Sequence, residues 1–252
     1  MSLMSLRGGI LWAPKEGNTI DEFEDAFAPN EIKTTHVFPM SFAVADGATE
    51  TSFSKIWANQ LVNAYVACEG DVGAMSRELP RLRACWLEQV TTKELPWYAE
   101  QKLKQGAFAS VLGVSLIKDS EGLMLWNAFS VGDSSLFHIG FDGAVTAFPS
   151  SNSNDLKVRP LLVSSRADDS TILEDVGVHI KGTLGARERI YLVTDALAIW
   201  ILDSLTTDEN PFESLDQMLR TEKSFHEWTR ELRQQGKLKN DDYTLVWIEL
   251  GD

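Results

Sequence analysis

The chain has 252 residues, 44% hydrophobic and 24% charged, which is the make-up of a soluble globular domain with ample apolar residues for a core. Lys plus Arg number 23 and Asp plus Glu 37, a formal net charge of −14. That balance argues against non-specific binding to nucleic acid or to an anionic membrane surface, and no Lys/Arg cluster marks a local exception. No apolar run reaches the roughly 18 residues of a membrane span. The start, "MSLMSLRGG", lacks the apolar core and cleavage site of a secretory signal. Cys68 and Cys85 are too far apart for a CxxC pair and read as idle thiols of a reducing compartment. A cytoplasmic protein is the expectation.

A single domain is expected over residues 1–252, with 1–9 flexible or an expression remnant. Short strand-like runs occupy 10–13 and 37–45. The stretch "TSFSKIWANQLVNAYVAC" places Phe53, Ile56, Trp57, Leu61, Ala64 and Tyr65 on one helical face, with Thr51 or Ser52 as its cap. A second helical region runs from about Gly73 to Gln105, interrupted near Pro96. From Ala107 the pattern changes: "AFASVLGVSLI", "GLMLWNAFSV" and "SSLFHIGF" are strand-like, and "GFDGAVTAF" closes a hairpin at Asp142-Gly143. "SSNSNDLKVRP" is a loop, "ERIYLVTDALAIWIL" a strand running into a helix, 211–235 mostly helical, and "DDYTLVWIEL" a last strand.

Strands in the middle and at both ends, with helices in separate blocks, favour an α+β layered domain over regular βαβ alternation. The antiparallel meander argues against a dinucleotide-binding sheet, and no GxGxxG, phosphate-loop or HExxH motif is present.

Four acidic sites share one style of context: Glu24-Asp25 in "FEDAF", Asp46 ending "FAVAD", Asp195 ending "IYLVTD", and Asp241-Asp242 opening the last strand. Strand ends hold side chains rigidly, as metal ligands require. Hard divalent cations prefer oxygen ligands, and gathered carboxylates repel one another unless a cation neutralises them. Taken singly, each Asp is more often a cap or turn residue, and Asp195 at a strand–helix junction also fits an N-cap.

The ordered set "FEDAF", "FAVADG", "GAFASVLGVSL", "VGDSSLFHI", "LVTDALAIW" and "NDDYTLVWIEL" resembles the motifs of the metal-dependent protein phosphatases of type 2C, over about residues 15–250. The resemblance implies a four-layer α-β-β-α sandwich with two central, mainly antiparallel sheets and a site for two Mg²⁺ or Mn²⁺ ions. By motif, Asp46 would bridge both ions. Glu24 and the Gly47 carbonyl would bind one, and Asp195 and Asp241 the other. Asp25 would orient waters around the ions, and Asp133 matches a position associated with a weak third ion. Gly47, lacking a Cβ, would let its carbonyl turn toward a cation. Asp142-Gly143 has no such neighbours and reads as a turn. The implied reaction is hydrolysis of phosphoserine or phosphothreonine by an activated water, with a phosphorylated protein as substrate and a serine/threonine kinase as a possible partner; nucleic acid and membrane are not expected.

The chain departs from the family pattern in places. An Arg often found four residues before the motif Glu is Ile20 here, and Lys15 is the nearest upstream cation, a substitute for binding substrate phosphate or a solvated surface Lys. "DGATETSF" lacks the usual glycine pair, Ala196 replaces a Gly, and Ile199 stands where some relatives carry another metal-binding Asp. His36, His138, His179 and His226 have no metal spacing and read as structural or surface residues, and the Trp residues as core. The reading is an active phosphatase; a weak or inactive module that binds a phosphoprotein or a kinase is the alternative, and a phosphatase of small phosphorylated metabolites a third.

Overall fold

The computed structural model describes residues 5–49, 53–91, 103, 105–207, 209–221 and 224–251. Its strands are β1 (Leu6–Ala13), β2 (Ala26–Ala28), β3 (Met40–Ala45), β4 (Phe108–Ala109), β5 (Val111–Lys118), β6 (Met124–Val131), β7 (Ser135–Ile139), β8 (Val145–Phe148), β9 (Val163–Ser164), β10 (Val178–Thr183), β11 (Arg189–Val193) and β12 (Tyr243–Leu250). The longer helices are α1 (Ser54–Ala67), α2 (Val72–Thr91), α3 (Asp195–Leu205), α4 (Pro211–Arg220) and α5 (Phe225–Gln234). One five-stranded sheet runs β1-β12-β11-β7-β8 and the other β10-β6-β5-β3-β2. Neighbouring strands in both are antiparallel.

Period-two alternation explains the layering. Phe42 and Val44 of β3, Leu112, Val114 and Leu116 of β5, Ile190 and Leu192 of β11, and Val246, Ile248 and Leu250 of β12 fill the space between the sheets. The residues between them face the other way. Ala43, Ala45 and Val111 pack beneath α1 and α2 with Trp57, Leu61, Tyr65, Met75 and Trp86. Tyr191, Val193, Tyr243 and Leu245 pack beneath α3, α4 and α5 with Trp200, Ile201, Phe212 and Trp228. The result is the expected α-β-β-α sandwich of three apolar layers. Each fully buried Leu or Val contributes about 1.5–3 kcal/mol of transfer free energy.

Some expectations need correction. The first strand begins at Leu6, which is fully buried and opposite Leu250; residues 6–9 are therefore sheet, not a flexible leader. β2 and β10 were not legible: β2 has three residues, and "VHIKGT" of β10 is a mostly exposed edge in which only Val178 and Ile180 alternate with polar residues. Asp195 is not an N-cap. Thr194 takes that position and Asp195 is the first residue of α3. A single helical turn, Ser153–Leu156, lies within the expected 150–160 loop. The Thr51/Ser52 cap and most of the second helical region beyond Thr91, Pro96 included, lie outside the described residues. The second Asp-Gly is a turn: Gly143 has φ +82° and its N–H donates to the Gly140 carbonyl between β7 and β8. His138 hydrogen-bonds Glu188 and His179 packs on Phe129, both structural roles. Among the described residues no helix is long and apolar enough to cross a membrane.

Candidate metal centre

Antiparallel pairing decides where the acidic residues meet. β2 and β3 pair Ala26 with Ala45, so Glu24 and Asp25, just before β2, lie beside Asp46, just after β3. β11 and β12 pair Val193 with Leu245, so Asp195 and Asp241-Asp242 share an end. β7 pairs Ser135 with Val193, which brings Asp133 to that same end. Two hydrogen bonds tie the sheets together there. The Thr194 hydroxyl donates to Asp25 Oδ2 at 3.0 Å, and the Glu24 N–H donates to Asp242 Oδ2 at 2.6 Å.

Each acidic group has a distinct setting. Asp242 uses its two oxygens as a staple, accepting the N–H groups of Lys15 (2.8 Å) and Glu24. Glu24 Oε1 accepts from the buried Ser54 hydroxyl at 2.6 Å. Asp25 is only 2% exposed, and its Oδ1 has no well-aligned hydrogen bond among the described residues, although the Thr244 hydroxyl is near enough to favour its ionised form. The strand end before Asp46 is locked by Ser110: its hydroxyl accepts the Asp46 N–H at 3.0 Å, its N–H donates to the Asp46 carbonyl, and it pairs with Ser134 at 2.7 Å. Gly47 is required by close approach. A Cβ there would stand 2.7 Å from the Glu24 carbonyl oxygen and 3.0 Å from Ser54. Its φ is not left-handed, so close approach rather than backbone strain requires glycine here.

The carboxylates are felt in one another's ionisation. Burial, and then the charges of Asp25, Asp195, Asp133 and Asp241, hold the Asp46 carboxyl well above the usual range. Burial and Asp242 do the same to Asp25. Burial and Asp195 push Asp133 up to about 7. Burial and Asp241 raise Asp195, against the opposing charge of Lys239. Lys15 is close enough to favour the ionised forms of Asp195 and Asp242. Ile20, in the place of the family's Arg, is 65% exposed.

These residues fit a hard divalent cation by chemistry: a crowded all-oxygen donor set whose members repel one another, with one buried Asp25 oxygen lacking a well-aligned donor. They are not yet arranged as a coordination shell. Among the described residues, no group of three or more Asp, Glu, His or Cys side chains surrounds a common ion position. The hydrogen bonds explain this, because Ser54 turns Glu24 and the Lys239 ammonium lies 2.6 Å from Asp241 Oδ2.

No family model and no curated protein matches the sequence. Solved structures do match. The catalytic domain of the serine/threonine protein phosphatase PstP, in complex with two manganese ions, superposes with a TM-score of 0.58 at 13% identity, over 99% of this chain and 100% of that one. Serine/threonine phosphatase Stp1 from Staphylococcus aureus gives 0.59 at 9% identity, over 97% and 94%. PppA of Pseudomonas aeruginosa, a regulatory component of its T6SS, gives 0.57 at 14%, over 98% and 99%. The fold is that of the type 2C phosphatases.

Within this type 2C fold every acidic residue singled out from the sequence falls at one end of the sandwich. Sequence reasoning missed Ser54, Ser110, Ser134, Thr194 and Lys239. Small hydroxyl residues beside a motif carry no periodic signal, and Lys239 had one: a Lys two residues before a motif Asp. A groove of about 890 Å³ opens beside the centre, lined by Asp195, Lys239, Ile199, Phe108, Leu161 and Arg159 among others.

Proposed function

We propose that this protein is a Mg²⁺- or Mn²⁺-dependent phosphatase of phosphoserine and phosphothreonine in proteins. One observation carries the reading: Asp25, Asp46, Asp133, Asp195 and Asp241, contributed by separate segments of the chain, meet at one end of the sandwich through the pairing of β2 with β3, β7 with β11 and β11 with β12, close enough for their charges to bear on one another. Evolved proteins keep such repulsion where it serves a site.

When bound, a pair of hard cations supplies an acidified water and neutralises the phosphoryl oxygens. The chain's own residues do the rest. Asp46, Glu24 and the Gly47 carbonyl are the proposed donors on one side, and Asp46, Asp195 and Asp241 on the other. Asp25, held by Thr194, would orient waters bound to the ions. Asp133 would be the donor for a weak third ion. Lys15, its backbone tied to Asp242 and its charge felt by Asp195, is the proposed phosphate cation, acting as a point charge rather than an Arg fork. The substrate is a phosphorylated protein, and a phosphorylated kinase is one such protein.

Purified protein is expected to hydrolyse a phosphopeptide and p-nitrophenyl phosphate with Mn²⁺ and to stop on addition of EDTA. Undiminished turnover by both Asp46→Asn and Asp195→Asn would sink this reading. A second reading, a weak or inactive module that binds a phosphoprotein, is favoured by the missing Arg at Ile20. Tight Mn²⁺ binding by calorimetry, with no turnover on a broad phosphopeptide panel, would select it. Faster turnover of small phosphorylated metabolites than of phosphopeptides would select the third.

A further inference from the structure

The geometry points to Lys239 as a tethered counter-cation: we propose that its ammonium group and a divalent cation compete for the carboxylates of Asp195 and Asp241. This rests on the two-cation reading above. Lys239 Nζ lies 2.6 Å from Asp241 Oδ2 and 4.0 Å from Asp195 Oδ2. The Lys239 side chain is 65% exposed, whereas Asp241 and Asp195 are 20% and 16%.

The backbone beneath it is anchored. The Tyr243 hydroxyl donates to the Lys239 carbonyl at 2.5 Å, and the Asn240 side-chain oxygen accepts the Glu16 N–H at 2.8 Å. The stem of the Lys therefore starts beside the two carboxylates, while its four-carbon chain is free to swing into the groove lined by Phe108, Leu161 and Ile199. A single ammonium on one carboxylate offsets only part of the repulsion among the clustered acids, and a divalent cation offsets more. The exchange is thus favourable, but it breaks an ion pair and leaves a like charge nearby. Lys239 lowers the affinity of this side for metal below what the carboxylates alone would give, and its ammonium, once displaced, would have the groove to enter. Lys15 is not its equivalent, for it makes no ion pair among the described residues.

Isothermal titration of Mn²⁺ into the wild-type protein, Lys239→Gln and Lys239→Arg tests this. An exposed ion pair is worth little, so Lys239→Gln should tighten the weaker Mn²⁺ site by about three- to fivefold, and Lys239→Arg, which keeps the charge, should stay within about twofold of wild type. An unchanged or weakened site in Lys239→Gln, with wild type binding two ions, would overturn the competition alone. Absence of Mn²⁺ binding by all three proteins at millimolar concentration would overturn the two-cation reading and the competition with it.

Discussion

At the scale of single residues, the acidic cluster is held together against its own repulsion. Asp46 is held in a place where its charged form is disfavoured, so Asp46→Asn should act in opposite directions on two measurements. Turnover with Mn²⁺ should fall by about a hundredfold or more, as for removal of a well-ordered metal-centre group. Melting temperature in EDTA should rise, by roughly 2–4 °C for each kcal/mol of repulsion relieved. Asp133 makes the pH dependence explicit. Its folded pKa of about 7 lies above the ordinary 3.8, so between those values the folded state holds a proton that the unfolded state has lost. Stability from this group is therefore full below about pH 4 and lost as pH rises through about 7. In EDTA, melting temperature should decline over that window, and Asp133→Asn should flatten the decline. A profile identical to wild type would show that Asp133 does not titrate there.

At the scale of elements, the strands and helices meet at two glycines with different duties. Gly113 of β5 lies under α1, and a Cβ there would stand 2.3 Å from the Tyr65 ring. Tyr65 is itself buried, so Gly113→Ala should lift α1 off the sheet, costing about 1–3 kcal/mol in denaturant unfolding while the distant metal centre keeps its affinity for Mn²⁺. Gly47 sits where the approach to β2 touches the first turn of α1. Gly47→Ala should displace the Glu24 carbonyl and the Ser54–Glu24 bond by a fraction of an ångström. Its cost should therefore appear in activity, up to about a hundredfold, more than in melting temperature. Equal effects of the two substitutions on activity would contradict this division of labour.

At the scale of the whole molecule, the centre joins the two sheets. Asp25–Thr194 and Glu24–Asp242 are cross-sheet bonds, and the acids on both sides repel. A cation bound between them should therefore stabilise the entire sandwich rather than a loop. At a Mn²⁺ concentration near a hundred times the Kd, the gain should be about 2.7 kcal/mol, seen as a rise in melting temperature that EDTA reverses. Asp46→Asn combined with Asp195→Asn should abolish that rise. A rise that survives in the double variant would place the stabilising ion elsewhere.

By itself the sequence determined most of the strands, the helical blocks and the acidic residues at the strand ends, because strand alternation and helical spacing are local consequences of which side chains must leave water; the grouping of the strands into two stacked sheets was implied by the resemblance to the type 2C phosphatases, not by the pattern itself. "FAVAD" and "IYLVTD" announce a buried strand stopped by a carboxylate without help from the rest of the chain. Only the tertiary structure decided that Asp46 and Asp195 belong to one cluster, since they follow strands of different sheets some 150 residues apart in the chain and meet only because one sheet stacks over the other. It alone decided that Asp242 staples backbone N–H groups while its neighbour Asp241 meets Lys239. Two adjacent acids look alike in a sequence; which of them staples distant backbone N–H groups, and which meets a lysine ammonium, is set by what surrounds them in space.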